Sequence, residues 1–240
     1  METTKPAITI EDVVDIFYAR EFAYDILRRF FIEEPPREYV KLFIQNNMID
    51  LFPFKEESDG IRASVNKIKD YLAVFNPGMI EKHYEDLHWD YTKMFIGPFE
   101  VQASPWESVY VRKDKLLFQQ TTMDVRKLYN KYGFRAGDYN IEADDHIGLE
   151  LDFLYHLNRL GIESAESKSE TAIQEIVYLL KEQKQFINEH LGKFVPELAN
   201  LVQEHAETDF YRGLATLLQH YLTIDSKVLT ELLNIELIQK

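Results

Sequence analysis

The chain has 240 residues, of which 45% are hydrophobic and 28% charged, as expected for one large globular domain or two small ones. The net charge of −14 argues against nucleic acid as a partner, because binding to phosphates requires a basic surface. The absence of cysteine excludes disulfides, iron–sulfur clusters and cysteine-ligated zinc. Only 9 glycines and 8 prolines provide turn signals, which favours an all-α fold.

The first residues, METTKPAITIEDVVD, lack a basic segment followed by an apolar core, so we expect no export signal. No uninterrupted apolar run approaches the length that crosses a bilayer, which predicts no stable membrane insertion. Together these features predict a cytoplasmic protein.

Apolar residues recur at helical spacing along most of the chain. Thr9 followed by Asp12 is similar to a capping box and predicts a first helix that ends before Pro35-Pro36. About nine further helices are predicted, over residues 37–46, 61–75, 79–95, 121–132, 142–160, 170–190, 196–206, 209–222 and 226–238.

Two connections between these helices stand out. Residues 97–120 form a long non-helical connection that contains Trp106 and a short β-like segment at Val109–Val111. Such loops are commonly packed or functional. The polar segment Glu163–Ser169 is the best candidate for a linker, and exchange of a domain between protomers would use such a linker.

The acidic segment, Glu142–His146 with the sequence EADDH, leads directly into an apolar helix. One interpretation is a helix N-terminus that Asp144 or Asp145 caps, with a solvated acidic face. The other is a binding site for an arginine-bearing peptide with an apolar tail. Such a peptide requires carboxylates for its guanidinium groups and an apolar groove for its tail. The groove candidates are Trp106, Tyr91, Phe95 and the 98–105 loop.

Motifs for nucleotide binding or serine hydrolysis are absent from the sequence. Glu85 and His88 form one Glu-x-x-His pair, whereas a di-iron bundle needs two such pairs. The remaining histidines have no ligand-like spacing, so the sequence predicts no catalytic residue and no metal site. A helical metal-dependent hydrolase that uses His146 and its acidic neighbours is a weak alternative, because one histidine with clustered acids is a poor ligand set.

Three segments resemble the TorD/DmsD/NarJ-type family of redox-enzyme maturation chaperones. DYTKMFIGPFEVQASPWESVY, at Asp90–Tyr110, is similar to a Y-x-x-L-F-x-G-P motif followed by P-P/W-x-S-x-Y. EADDHIGLELDFL, at Glu142–Leu154, is similar to an E-P-x-D-H motif with a helical apolar run. Phe186–Thr223 adds F-x-x-x-H-L-x-x-F-x-P and a later Phe-Tyr pair. Together they cover about half of the chain in the order of the family.

The resemblance implies an all-helical fold with two subdomains, over residues 1–141 and 142–240. It implies a cytoplasmic, system-specific chaperone that is not an enzyme. Its partner would be the immature catalytic subunit of a molybdopterin oxidoreductase, or the twin-arginine signal peptide of that subunit, and it would assist cofactor insertion before export. The residues that the resemblance assigns to binding are Glu142, Asp145, His146, Tyr91, Gly97, Pro98, Pro105, Trp106, Glu107, Ser108 and Tyr110.

Several alternatives remain open at this stage. The chain could instead be a delta-type assembly factor for a nitrate-reductase-like complex, and it could be a monomer or a domain-exchanged homodimer. No cofactor is expected. No motif in the sequence supports transient contact with molybdopterin or a guanine nucleotide. Ala143 stands where the family usually has proline, which would make this hinge less rigid and allow the helix to start earlier.

Overall fold

The structure, a computed structural model, describes residues 6–75, 80–97, 101–114, 116–135, 142–167 and 169–239. In these residues the α-helices are α1 Ile10–Phe31, α2 Arg37–Gln45, α3 Asp59–Ala73, α4 Ile80–Tyr91, α5 Glu107–Val111, α6 Gln120–Lys131, α7 Ile147–Glu166, α8 Ala172–Phe186, α9 Gly192–His205 and α10 Asp209–Asn234. Met48–Leu51 is a 3-10 helix, and Thr92–Ile96 and Ile187–Leu191 are π-helical turns. The predicted all-α class is confirmed.

The first helix begins where the sequence predicts. The Thr9 hydroxyl accepts a hydrogen bond from the Asp12 N–H at 3.2 Å, and the Asp12 carboxylate accepts one from the Thr9 N–H at 3.4 Å. These two bonds complete a capping box, which satisfies backbone groups that the first turn leaves unpaired.

Several local predictions are wrong. The predicted break between the helices 170–190 and 196–206 is absent, since the π-helical turn Ile187–Leu191 joins α8 directly to α9. The β-like segment at Val109–Val111 belongs to helix α5. The predicted linker Glu163–Ser169 is helical as far as Glu166, because Gly161 packs inside α7 and does not end it. A Cβ atom at Gly161 would lie 3.0 Å from the ring of Phe17, so this glycine permits a close approach between α1 and α7. The two predicted C-terminal helices are one helix, α10, since neither glycine nor proline lies at the predicted break between Leu222 and Ser226.

Two three-residue strands lie near the two ends of the described chain. Strand β1, Ala7–Thr9, pairs in parallel with strand β2, Glu236–Ile238. The core lies where α1 packs along α7 and α3 packs along α10. Each of these two packings joins a helix of the predicted subdomain 1–141 to a helix of the predicted subdomain 142–240. The division into two subdomains stays a prediction. None of the helices in the described ranges is long and apolar enough to cross a membrane.

A buried polar network joins three of these helices. The guanidinium of Arg20 in α1 donates to both carboxylate oxygens of Asp225 in α10, at 2.6 and 3.0 Å. It also donates to the side-chain oxygen of Asn158 in α7 at 2.7 Å, and the Tyr24 hydroxyl donates to Asp225 at 2.6 Å. All four side chains are fully buried. The network therefore fixes the relative positions of α1, α7 and α10 inside an otherwise apolar core.

Candidate functional site

The acidic segment pairs with the residues that precede helix α5. Trp106 and His146 form an isolated antiparallel bridge. The Glu107 N–H donates to the Asp145 carbonyl at 2.9 Å, and the Ile147 N–H donates to the Pro105 carbonyl at 2.8 Å. Two motifs that lie far apart in the sequence are thus held together by backbone hydrogen bonds.

Asp145 is fully buried at the centre of this junction. One carboxylate oxygen accepts from the Ser108 N–H at 2.9 Å, and the other accepts from the Thr122 hydroxyl at 2.7 Å. Since the N-cap residue of α5, Trp106, makes no side-chain capping bond, Asp145 serves as the cap from another part of the chain. Asp145 therefore holds the first turns of α5 and α6, and both of its oxygens are occupied.

His146 is the N-cap of α7, so the predicted cap by Asp144 or Asp145 is wrong. Its Nδ1 accepts from the Gly148 N–H at 3.1 Å, which requires that this nitrogen carry no proton. Burial of the ring lowers the pKa of His146 to about 4, and the negative charge of Asp145 opposes this shift only in part. Because pairing with Trp106 keeps His146 extended, α7 starts at Ile147. The expected earlier start after Ala143 is therefore also wrong.

Trp106 and Glu142 form the outer edge of the junction. The indole N–H of Trp106 donates to a carboxylate oxygen of Glu142 at 2.6 Å, and the indole meets the His146 ring edge to face at 5.9 Å. Both Trp106 and Glu142 are partly exposed. Asp144, in contrast, is buried and pairs with Arg126 at 2.6 Å.

The other residues assigned by the resemblance mostly support the loop. Tyr91 is buried against Phe95, and the hydroxyl of Tyr110 donates to the Ser104 carbonyl at 2.7 Å. Gly97 has φ of 58°, a conformation that favours glycine. Three more are buried, namely Pro105, Glu107 and Ser108. Pro98 lies outside the described residues.

Two exposed acids that the sequence motifs do not identify lie near this junction. Glu33 and Glu34 follow the carboxyl end of α1. Burial is the main cause that raises the pKa of Tyr91, and the charges of Glu33, Glu34 and Glu142 raise it further. Negative charge at the carboxyl end of a helix is unfavourable. The doublet before Pro35-Pro36 is visible in the sequence, but nothing there indicates that its charges, like that of Glu142, act on Tyr91.

The fold is all-helical, and the structure pairs the two motifs that resemble those of the redox-enzyme maturation chaperones. The profile of the family described as nitrate reductase delta subunit matches residues 54–200, and the chain belongs to this family. It is 28% identical to the chaperone protein TorD of Aliivibrio salmonicida over 87% of this chain and 89% of that protein. The chaperone protein TorD of Aliivibrio fischeri is also 28% identical, over 82% of this chain and 86% of its own length. The resemblance predicted from the sequence is confirmed.

Proposed function

We propose that this protein is a cytoplasmic, system-specific chaperone for a molybdopterin oxidoreductase. It binds the twin-arginine signal peptide or the immature catalytic subunit and assists cofactor insertion before export. The observation that carries the proposal is the similarity to proteins named chaperone TorD along most of both chains. The role requires no catalysis by the chain and no cofactor of its own. Light scattering would distinguish a monomer from a domain-exchanged homodimer.

In the proposed binding mode, the arginine pair contacts the carboxylates of Glu33, Glu34 and Glu142. Two of these follow a helix carboxyl end, where a cationic ligand relieves unfavourable negative charge. Guanidinium groups bind carboxylates through paired charge-assisted hydrogen bonds. The apolar part of the peptide lies against the partly exposed Trp106.

The other proposed site residues act mainly by holding the loop that carries Trp106 in place. Asp145, Glu107 and Ser108 are buried and hold the loop that carries Trp106. His146 is 5% exposed and keeps Trp106 in place through its ring and backbone. Tyr91, Gly97, Pro105 and Tyr110 support the same loop, and we assign Pro98 to it from the sequence motif alone.

Replacing Glu33 and Glu34 together with glutamine is expected to weaken binding of the signal peptide at least about tenfold. Each lost charge-assisted hydrogen bond costs about 1.5–3 kcal/mol. Calorimetric titration with the signal peptide of the partner oxidoreductase, identified by co-purification from the native host, measures the effect. A peptide with Lys-Lys in place of Arg-Arg should also bind less tightly.

The doublet Glu56–Glu57 supplies a matched control, because both residues are exposed and the double glutamine variant changes the net charge equally. This control should bind the peptide as the wild type does. An equal loss in both double variants would mean that only the overall charge matters. Asp145→Asn should also weaken binding with unchanged helix content, since one of its two acceptor oxygens becomes a donor. Unchanged affinity in Asp145→Asn would remove the junction from the site.

The family description favours a second candidate, a delta-type assembly factor for a nitrate-reductase-like complex. Such a factor binds the mature surface or the N-terminal tail of the catalytic subunit, and no exported leader is involved. A co-purified partner that lacks a twin-arginine leader would support this candidate. Tight binding to an isolated leader peptide would support the first.

A further inference from the structure

Three titratable side chains converge behind the junction. Glu107 begins α5, Glu150 lies in the first turn of α7, and His190 lies in the π-helical turn between α8 and α9. Their exposed fractions are 2%, 0% and 9%. One ligand atom from each lies within 4.8 Å of the others, and His190 Nδ1 is 2.9 Å from a carboxylate oxygen of Glu107. Sequence spacing could not predict this cluster, since its members come from three separate helices.

Glu150 is the member that points to a missing ligand. As an ionised carboxylate, it receives no hydrogen bond from any donor in the part of the chain that is described. A buried carboxylate without partners is costly. Burial is the main cause that raises the pKa of Glu150 well above its usual range, and the charges of Glu107 and Asp145 and a hydrogen bond with the Glu107 side chain raise it further. Either a proton or a cation must therefore compensate the charge of this carboxyl group.

We propose that Glu107, Glu150 and His190 bind a divalent transition-metal ion of the Zn²⁺ type. Two carboxylates with a neutral imidazole carry a charge of −2, which one such ion neutralises. Imidazole and carboxylate are both zinc ligands, with bonds of about 2.0–2.2 Å. Tetrahedral ligands at that bond length lie about 3.4 Å apart, so small side-chain rotations suffice to close the site. Three protein ligands leave the fourth position for water.

His190 is the member of the cluster that reaches a surface cavity. This residue lines a surface cavity of about 260 Å³ together with Phe186, Glu189 and Glu182. An entering ion would replace the hydrogen bond between His190 and Glu107 with coordination to both. The ion would tie α5 and α7 to the turn between α8 and α9, and so stabilise the support of the Trp106 loop. The proposal is independent of which client the chaperone binds.

The test uses the untagged full chain after removal of metals with EDTA. Titration with ZnCl₂, followed by calorimetry and elemental analysis, should give one ion per chain. Zinc at about 100 times its dissociation constant should raise the melting temperature by about 5–10 °C. Glu150→Gln should weaken binding by at least about 100-fold, because even outer-shell partners of metal sites are worth about 10–100-fold. Glu204→Gln, which alters an exposed carboxylate of α9 outside this cavity, should bind zinc as the wild type does.

Metal-free Glu150→Gln is expected to melt at the same or a higher temperature, since it removes a buried carboxylate that lacks partners. If this variant does not fold, His190→Gln provides the same comparison. Visible absorption of bound Co²⁺, lost in that variant, would identify the ligand set. Zinc that fails to bind, or that binds wild type and Glu150→Gln equally, would overturn the proposal. Glu150 would then be kept neutral by a proton.

Discussion

Replacing Asp225 with alanine is expected to lower the free energy of unfolding by about 3–5 kcal/mol. In the variant the Arg20 guanidinium stays fully buried and loses the carboxylate to which it donates. Among the described residues, the side-chain oxygen of Asn158 is the one acceptor that remains bonded to it. It also removes the acceptor of the Tyr24 hydroxyl. The cost of an uncompensated buried charge greatly exceeds the net value of the intact pair, because the pair itself was desolvated on folding.

Urea denaturation, followed by far-ultraviolet circular dichroism, measures this change. Asp124→Ala provides the control, because Asp124 forms an exposed ion pair with Lys127 at 2.9 Å and should cost less than about 1 kcal/mol. A double variant, Arg20→Met with Asp225→Leu, should recover part of the loss, since neither charge then remains buried. Equal costs for Asp225→Ala and Asp124→Ala would show that the network is not important for stability.

The helical part of the fold could be predicted because its determinants are local. Apolar spacing and the Thr9–Asp12 capping box depend on residues within one or two turns. The predictions of helix ends are wrong where a contact with a distant part of the chain overrides a local sequence signal. Gly161 resembles a helix end, but it lies inside α7 because the ring of Phe17 occupies the space of its missing side chain.

The candidate site could be predicted only in part, for the same reason. Motifs identified Trp106, Asp145 and His146, which the structure brings together. The sequence could not show that Asp145 caps α5 from a distance, or that His146 caps α7 in its place. Contacts between distant parts of the chain also determine which acidic residues lie near Tyr91 and which lie near Glu150.

The buried imidazole of His146 should make stability depend on pH between about 4 and 6.5. In the unfolded chain the ring takes up a proton near pH 6.5, whereas the folded protein resists protonation until the pH approaches about 4. The unfolded state thus binds more protons in this window, and the free energy of unfolding must fall as the pH falls. A shift from 6.5 to about 4 corresponds to about 3 kcal/mol.

The comparison that isolates this contribution is wild type against His146→Asn, with urea denaturation at several pH values. Asparagine keeps a side-chain acceptor for the Gly148 N–H and is a preferred N-cap, but it does not titrate. Glu150, whose pKa is raised, contributes in the opposite direction above its unfolded pKa and is common to both proteins, so the difference cancels it. The wild type should lose about 3 kcal/mol more than the variant between pH 7 and pH 4. Parallel curves would mean that His146 accepts a proton in the folded protein, which would require its Nδ1 to release the Gly148 N–H and the start of α7 to rearrange.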